Sequence, residues 1–149
     1  MLLRTVRLAA SFVAVVLLSA CHGDGSPFEP LRDGTALPVT LTTTSVPSSP
    51  GPEQMTVAAI PGAMDVTWDV VSAPCLLASA SALQSGQVIE VQIHRSGDPL
   101  ALCAAGQVRY HYVARVMIPG PGSYEVRLVD YMLGQSPRPV GRRTVSIFY

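Results

Sequence analysis

The chain has 149 residues with 10 Arg, no Lys and 10 Asp plus Glu, so its formal net charge is zero. A near-neutral chain lacks the basic surface on which non-specific nucleic-acid binding depends, and nucleic acids are therefore excluded as partners. The length fits one domain with a short additional segment.

The N-terminus has the layout of a secretory signal. Two arginines precede an uncharged apolar run over residues 8–18, and two small residues stand directly ahead of Cys21. A membrane-spanning helix needs about 20 apolar residues, so this run is too short to span. Residues 1–20 are predicted to be a signal peptide that is removed on export.

Leu-Ser-Ala-Cys at positions 18–21 resembles the lipobox of bacterial lipoproteins. The resemblance implies that the Cys21 thiol receives a diacylglyceryl group and that cleavage occurs in front of it. Such a cysteine carries the two or more acyl chains that stable anchoring needs. The next residue is His22, whereas an Asp there resembles an inner-membrane retention signal. We therefore expect anchoring in the bacterial cell envelope, at the outer membrane on its periplasmic or surface face; an ordinary signal peptide with Cys21 as a free thiol is the alternative.

Residues 21–52 are rich in Pro, Gly, Ser and Thr. This composition buries too little apolar area to offset the entropy of ordering, and it predicts a tether. Within it, residues 37–43 alternate between apolar and other side chains, which is typical of an edge strand that tolerates a proline.

Residues 53–149 alternate with period 2 and are predicted to form the folded domain. The segment 75–83 fits either a helical turn or a strand. Glu90, Gln92 and His94 are expected on an outer face. The residues assigned to the interior are Met64, Val66, Trp68, Val70, Ile89, Val91, Ile93, Val108, Tyr110, Tyr112, Ala114, Val116, Tyr124, Val126, Leu128, Val145 and Ile147.

Turn signals about every 8 to 12 residues predict an all-β fold, an antiparallel sandwich of about seven strands. Trp68 and the stretch PGPGSYEVRLVD at 119–130 resemble the immunoglobulin-like modules of bacterial surface proteins. The resemblance implies that the Tyr124 ring lies in the core and its hydroxyl binds nearby backbone. The sequence departs from antibody domains at Val126, where those domains have a cysteine.

Two cysteines remain after Cys21, and in an exported protein Cys75 and Cys103 are expected to form a disulfide with each other. The alternatives are a redox-active pair or a metal site. Neither cysteine belongs to a CxxC motif or has a histidine at ligand spacing.

Residues for catalysis are scarce. No GxSxG, HExxH, phosphate-loop or dinucleotide motif occurs, so we predict no enzyme, no catalytic residues, no metal and no cofactor. His94 and His111 could pair on a metal if their strands were neighbours, but surface histidines are favoured. Asp65 and Asp69 share a strand face about 13 Å apart, too far for paired carboxylates, and are expected to be solvated.

Two groups of residues are candidates for binding. Arg109, His111 and Arg115 share one strand face, a composition favoured at interfaces. A second group surrounds the last hairpin, where anionic headgroups or a polyanionic glycan would bind; solvated surfaces are the alternative for both groups. This second group consists of Arg138, Arg142 and Arg143.

The sequence therefore predicts a lipid-anchored envelope protein with a non-catalytic sandwich for binding or scaffolding, whose partner is an envelope protein or glycan. The alternative is a protease-inhibitor module that inserts loops into a protease cleft. The candidate loops are IPGPGS at 118–123 and GQSPRPVG at 134–141.

Overall fold

The computed structural model describes residues 28–47, 51–98, 101–103 and 105–149. The predicted signal peptide at 1–20 and the predicted lipidation site at Cys21 lie outside these residues.

The described residues form nine strands in two sheets, so the predicted all-β sandwich is confirmed. One sheet has the order β1-β5-β6-β8-β9 and the other the order β2-β7-β4-β3. Every neighbouring pair is antiparallel except β6 and β8, which run parallel. The strands are β1 Thr35–Leu37, β2 Val39–Pro47, β3 Gln54–Ile60, β4 Ala63–Ser72, β5 Leu76–Ser85, β6 Val88–Gly97, β7 Val108–Met117, β8 Gly122–Met132 and β9 Arg138–Ile147.

The chain passes from one sheet to the other at Pro38. β1 pairs with β5, and β2 pairs with β7 in the opposite sheet, both at sheet edges. Proline has no N–H for a strand ladder, so the break falls where the ladder changes partner. The expected edge strand at 37–43 is thus the end of β1 and the first part of β2. Both strands lie in the segment expected to be a tether, so the chain forms paired strands before the expected domain boundary at 53.

The segment 75–83, which fitted either a helical turn or a strand, lies in β5 from Leu76 onward. All ten residues of β5 pair with β6, so a long ladder outweighs the helical preference of the alanines in this strand. The assigned interior residues of β4, β6, β7 and β8 are buried, from Met64 in β4 to Leu128 in β8, except Val108 at the start of β7, which is half-buried. The Tyr124 hydroxyl donates to the Gly120 carbonyl at 3.0 Å, as expected.

The predicted disulfide is present. Cys75 lies just before β5 and Cys103 in the connection that follows β6, with their Cα atoms 5.8 Å apart. The Asp98 N–H also donates to the Cys75 carbonyl at 3.0 Å. We call this part of the sandwich, where β5 begins and β6 and β8 finish, the disulfide end.

A buried ion pair joins two neighbouring strands on the inner face of the five-stranded sheet, near the disulfide end. Arg95 of β6 donates to both carboxylate oxygens of Asp130 of β8, at 2.8 and 2.5 Å, and both side chains are almost fully buried. The Arg95 guanidinium lies 4.9 Å from the ring centre of Trp68 in the opposite sheet. Arg138 bridges Asp130 to Glu53, and Glu53 accepts from the Trp68 ring at 2.7 Å. This network joins the two sheets.

Residues 28–34, which we call the N-terminal strap, cross the outer face of the five-stranded sheet. The Leu31 N–H donates to the Glu90 carboxylate at 2.8 Å, and the Phe28 ring lies 5.2 Å from the Arg127 guanidinium. Glu90 and Gln92 lie on the outer face to which alternation assigned them. They are only 0% and 9% exposed, because the strap and neighbouring side chains cover that face.

The Asp130→Ala variant is expected to lose about 3 to 5 kcal/mol of unfolding free energy, because it leaves the Arg95 charge buried without its main partner. Urea unfolding at neutral pH with the disulfide intact measures this loss. Asp65→Ala is the matched control, since Asp65 receives the same two-bond contact from the exposed Arg115. That change should cost less than about 1 kcal/mol; equal losses would contradict a special role for the buried pair.

The ionisation of Tyr112 makes the free energy of unfolding depend on pH in the alkaline range. Burial raises the pKa of its hydroxyl from 10.0 to about 12. Because the folded pKa is above the unfolded one, the stabilisation is complete below pH 10 and is lost as the pH rises through 12. The loss should reach about 2 to 3 kcal/mol. Unfolding curves across this range should show the full loss in the parent chain and in Tyr149→Phe, an exposed control. Tyr112→Phe should show a clearly smaller loss, since burial also raises the pKa of Tyr131.

Candidate functional site

The predicted face of Arg109, His111 and Arg115 exists on β7. Its side chains contact neighbours across the strand ladder: Arg115 donates twice to Asp65 at 2.8 Å, and His111 Nδ1 lies 2.7 Å from Asp69 Oδ1. The register places each Asp directly opposite its partner. Arg109 donates to the Gly51 carbonyl at 3.0 Å.

The expectation that Asp65 and Asp69 are simply solvated is therefore wrong. The hydrogen bond from Arg115 lowers the pKa of Asp65, which keeps that carboxylate charged. Arg115 forms an ion pair with Asp65 and His111 contacts Asp69, whereas Arg109 binds a neutral carbonyl. The polar groups of this face are thus engaged by neighbouring residues, although the Arg115 side chain is still 56% exposed.

The second predicted group does not form one cluster. β9 begins at Arg138, so all three arginines lie in a strand and not in a turn. Arg138 turns toward Asp130 and Glu53. Arg142 and Arg143 are consecutive strand residues and therefore point to opposite faces of β9.

His94 and His111 lie in different sheets, on β6 and β7, and are not brought together. Among the residues that the structure describes, no group of three or more His, Cys, Asp or Glu is placed to hold a metal ion. The same part of the chain contains no helix long and apolar enough to cross a membrane.

The two candidate inhibitor loops lie at opposite ends of β8. Residues 118–121 precede this strand of 11 residues and residues 133–137 follow it. At a strand rise of about 3.3 Å per residue, roughly 35 Å separates them. They cannot enter one protease cleft together.

A groove of about 420 Å³ opens on the outer face of the five-stranded sheet at the disulfide end. It lies on β5, β6 and the end of β8. The outward residues that line it include two leucines, two serines and a stacked ring pair. These residues are Leu77, Ser79, His94, Ser96, Tyr131 and Leu133.

The groove has apolar walls and a polar floor. Leu77 and Leu133 are 54% and 81% exposed, and Ser96 lies opposite Leu77 in the ladder. His94 stacks on Tyr131 with ring centres 4.9 Å apart. Among the lining residues the only formally charged side chain is Arg95, whose guanidinium is bound to Asp130 on the inner face. The His94 imidazole is thus the one ionisable basic group that opens into the groove.

A chain of hydrogen bonds connects the groove to the N-terminal strap. Glu90 accepts from the Leu31 N–H and from Gln92 Nε2, each at 2.8 Å. Gln92 Oε1 accepts from the Ser81 hydroxyl at 3.1 Å, and Ser81 Oγ lies 3.1 Å from His94 Nε2. Each step is on the outer face of the same sheet.

The order of donors in this chain determines the His94 tautomer. Gln92 donates its amide group to Glu90, so its oxygen is the atom that faces Ser81. Ser81 has a single hydroxyl proton and donates it to Gln92. Its oxygen must then accept from His94 Nε2–H. Neutral His94 therefore carries its proton on Nε2 and has a free lone pair on Nδ1.

Sequence reasoning did not identify this groove. The alternation of Ser79 and Ser81 on β5 and the outward assignment of His94 were visible signals. The parallel pairing of β6 with β8, which brings Tyr131 beside His94, joins strands that are distant in sequence. Periodicity gives no information on that pairing.

No protein-family model, curated protein or solved structure matches this chain.

The tautomer can be measured by the ¹⁵N shifts of His94 in the labelled protein at neutral pH. We expect a protonated Nε2 and an unprotonated Nδ1. Ser81→Ala removes the acceptor, and the population should shift toward a mixture of both tautomers. Ser79→Ala changes the outward serine directly opposite His94 in the ladder, whereas the hydroxyl bonded to the His94 ring is that of Ser81. This variant should leave the shifts unchanged; a dominant Nδ1–H form in the parent chain would refute the donor order.

Proposed function

We propose that the protein is a lipid-anchored component of a bacterial envelope, at the outer membrane, whose sandwich domain is a non-catalytic binding module. The lipobox-like sequence ending at Cys21 supports the anchor. The groove at the disulfide end supports the binding role, because it is a concave, preformed and largely apolar site with a few polar groups.

The observation that carries the non-catalytic role is the polarity of the Ser81–His94 contact. A serine nucleophile needs a base that accepts its hydroxyl proton. Here the Ser81 hydroxyl donates to Gln92, and the donor order inferred from the Gln92 amide makes its oxygen the acceptor from His94. In that tautomer His94 does not take the Ser81 proton.

The N-terminal strap determines how far the domain could lie from the membrane. Phe28 is already packed against the outer face, over Arg127. Only six residues lie between Phe28 and Cys21, and the seven residue steps that join them span at most about 25 Å. A free tether to residue 53 would have reached roughly 115 Å by the same measure. The sandwich would thus be held close to the bilayer surface.

The Cys21→Ala variant should lose all labelling by radioactive palmitate in cells and accumulate as uncleaved precursor, because acylation of the thiol precedes cleavage. Gel autoradiography with an antibody blot measures both. Cys103→Ala is the matched control: it removes another cysteine and opens the disulfide, yet it should still be labelled. Palmitate on the Cys21→Ala chain would rule out the proposed anchor.

A further inference from the structure

The geometry points to a neutral sugar, of one or two rings, as the ligand of the groove, held by a hydroxyl that donates to His94 Nδ1 and by apolar ring faces packed against Tyr131 and the leucine walls. This inference deepens the proposed binding role and does not depend on the lipid anchor.

The charge of the lining selects a neutral ligand. Apart from the His94 imidazole, which the proposal takes in its neutral form, the one basic side chain among the lining residues is Arg95, and it is paired with Asp130 inside the sandwich. A charged ligand would lose its hydration without an ionic partner, which is costly. Sulfated, phosphorylated and carboxylated ligands are therefore disfavoured at this site.

The hydrogen-bonding groups select a ligand with hydroxyl donors. His94 Nδ1 is only an acceptor in the neutral tautomer, so the ligand must provide a donor there. The Ser79 hydroxyl lies opposite His94 in the ladder, and Ser96 is two residues further along β6. Serine hydroxyls both donate and accept, as sugar hydroxyls do. The hydrogen-bonding groups of the groove therefore match the hydroxyls of a sugar.

The arrangement of large and small side chains in the groove favours a ligand that contains a ring. Across one row of the sheet, Ser79, His94 and Tyr131 stand side by side. The next row has the short Ser96 opposite the tall Leu77, and Leu133 completes the far wall. A pyranose has apolar C–H faces and hydroxyls around its edge, which matches apolar walls over a polar floor. The volume of about 420 Å³ is near the lower limit for ligand sites and suits one or two rings.

An extended peptide suits the groove less well. Peptides in extended form bind by adding a strand to a sheet edge. The groove lies on a sheet face, and the main chains of β5, β6 and β8 are already paired with one another there. A peptide would find side-chain partners only, and its own N–H and C=O groups would stay unmatched.

The test is a titration of the full-length acylated chain, in micelles of a detergent without a sugar head group, with the ¹⁵N shifts of His94 as the readout. The probes are glucose, N-acetylglucosamine, cellobiose and chitobiose, with cyclohexanol and trialanine as comparisons. We expect at least one sugar to move the Nδ1 resonance with saturation at millimolar concentration, which is ordinary for a small neutral ligand.

Variants test the assigned contacts. Tyr131→Ala should weaken sugar binding roughly tenfold, the loss expected for about 1.4 kcal/mol of ring contact. His94→Phe keeps an aromatic ring but removes the acceptor and should weaken binding by a similar factor, measured by isothermal titration calorimetry because this variant has no His94 resonances. His111→Phe, on the other sheet, is the matched control and should bind as the parent does.

Failure has two forms, and both overturn the inference. If no sugar moves the His94 resonances, the groove is not a sugar site. If trialanine or cyclohexanol saturates the site while the sugars do not, the ligand class is wrong although a binding role remains. Palmitate labelling of Cys21 is independent of both results, so the anchor and the ligand class are judged separately.

Discussion

The ion pair between Arg95 and Asp130 is the interaction on which the architecture of the disulfide end depends. It joins β6 and β8, the parallel pair in the sandwich, from the inner face, while His94 and Tyr131 stack across the same two strands from the outer face. Parallel pairing is slightly less stable per residue than antiparallel pairing. Side-chain contacts on both faces compensate at the place where the groove opens.

The same ion pair explains why a groove with a polar floor carries no charge. Arg95 lies between two groove residues in sequence, but alternation turns its side chain into the core, where it meets Asp130 and the face of Trp68. Two buried charges are tolerated only when each is paired and hydrogen-bonded. Two bonds from Arg95 and the contact with Arg138 meet that requirement for Asp130, whereas Arg95 Nη1 is buried without a hydrogen-bond partner among the described residues and lies in a side chain that packs over Trp68.

The N-terminal strap links the predicted anchor to the candidate site. It covers one part of the outer face near Glu90, and the groove occupies the part near His94, about 13 Å further along β6. A chain of hydrogen bonds connects the strap to the groove, from Leu31 through Glu90, Gln92 and Ser81 to His94. The strap, which the sequence predicted to be part of a long tether, is thus linked to the groups that orient the His94 ring. Anchor and groove would share one face of one sheet.

Periodicity identified most of the core. The alternation in β4, β6, β7 and β8 placed Met64, Trp68, Ile93 and Leu128 correctly, because in a strand the face of each side chain follows from its position alone. It did not show whether an outer face was open to solvent. Glu90 and Gln92 are buried because other segments cover them, and Asp65 and Asp69 are paired because β7 places His111 and Arg115 opposite.

What the sequence determined by itself is the all-β class, the inner and outer faces of the main strands, and the pairing of Cys75 with Cys103. These depend on local periodicity and on a choice between few partners. Only the tertiary structure decided the order of the strands, the parallel β6–β8 pair, the position of the strap and therefore the groove. Those features arise from contacts between segments far apart in the chain, and neither composition nor period records which distant segments meet.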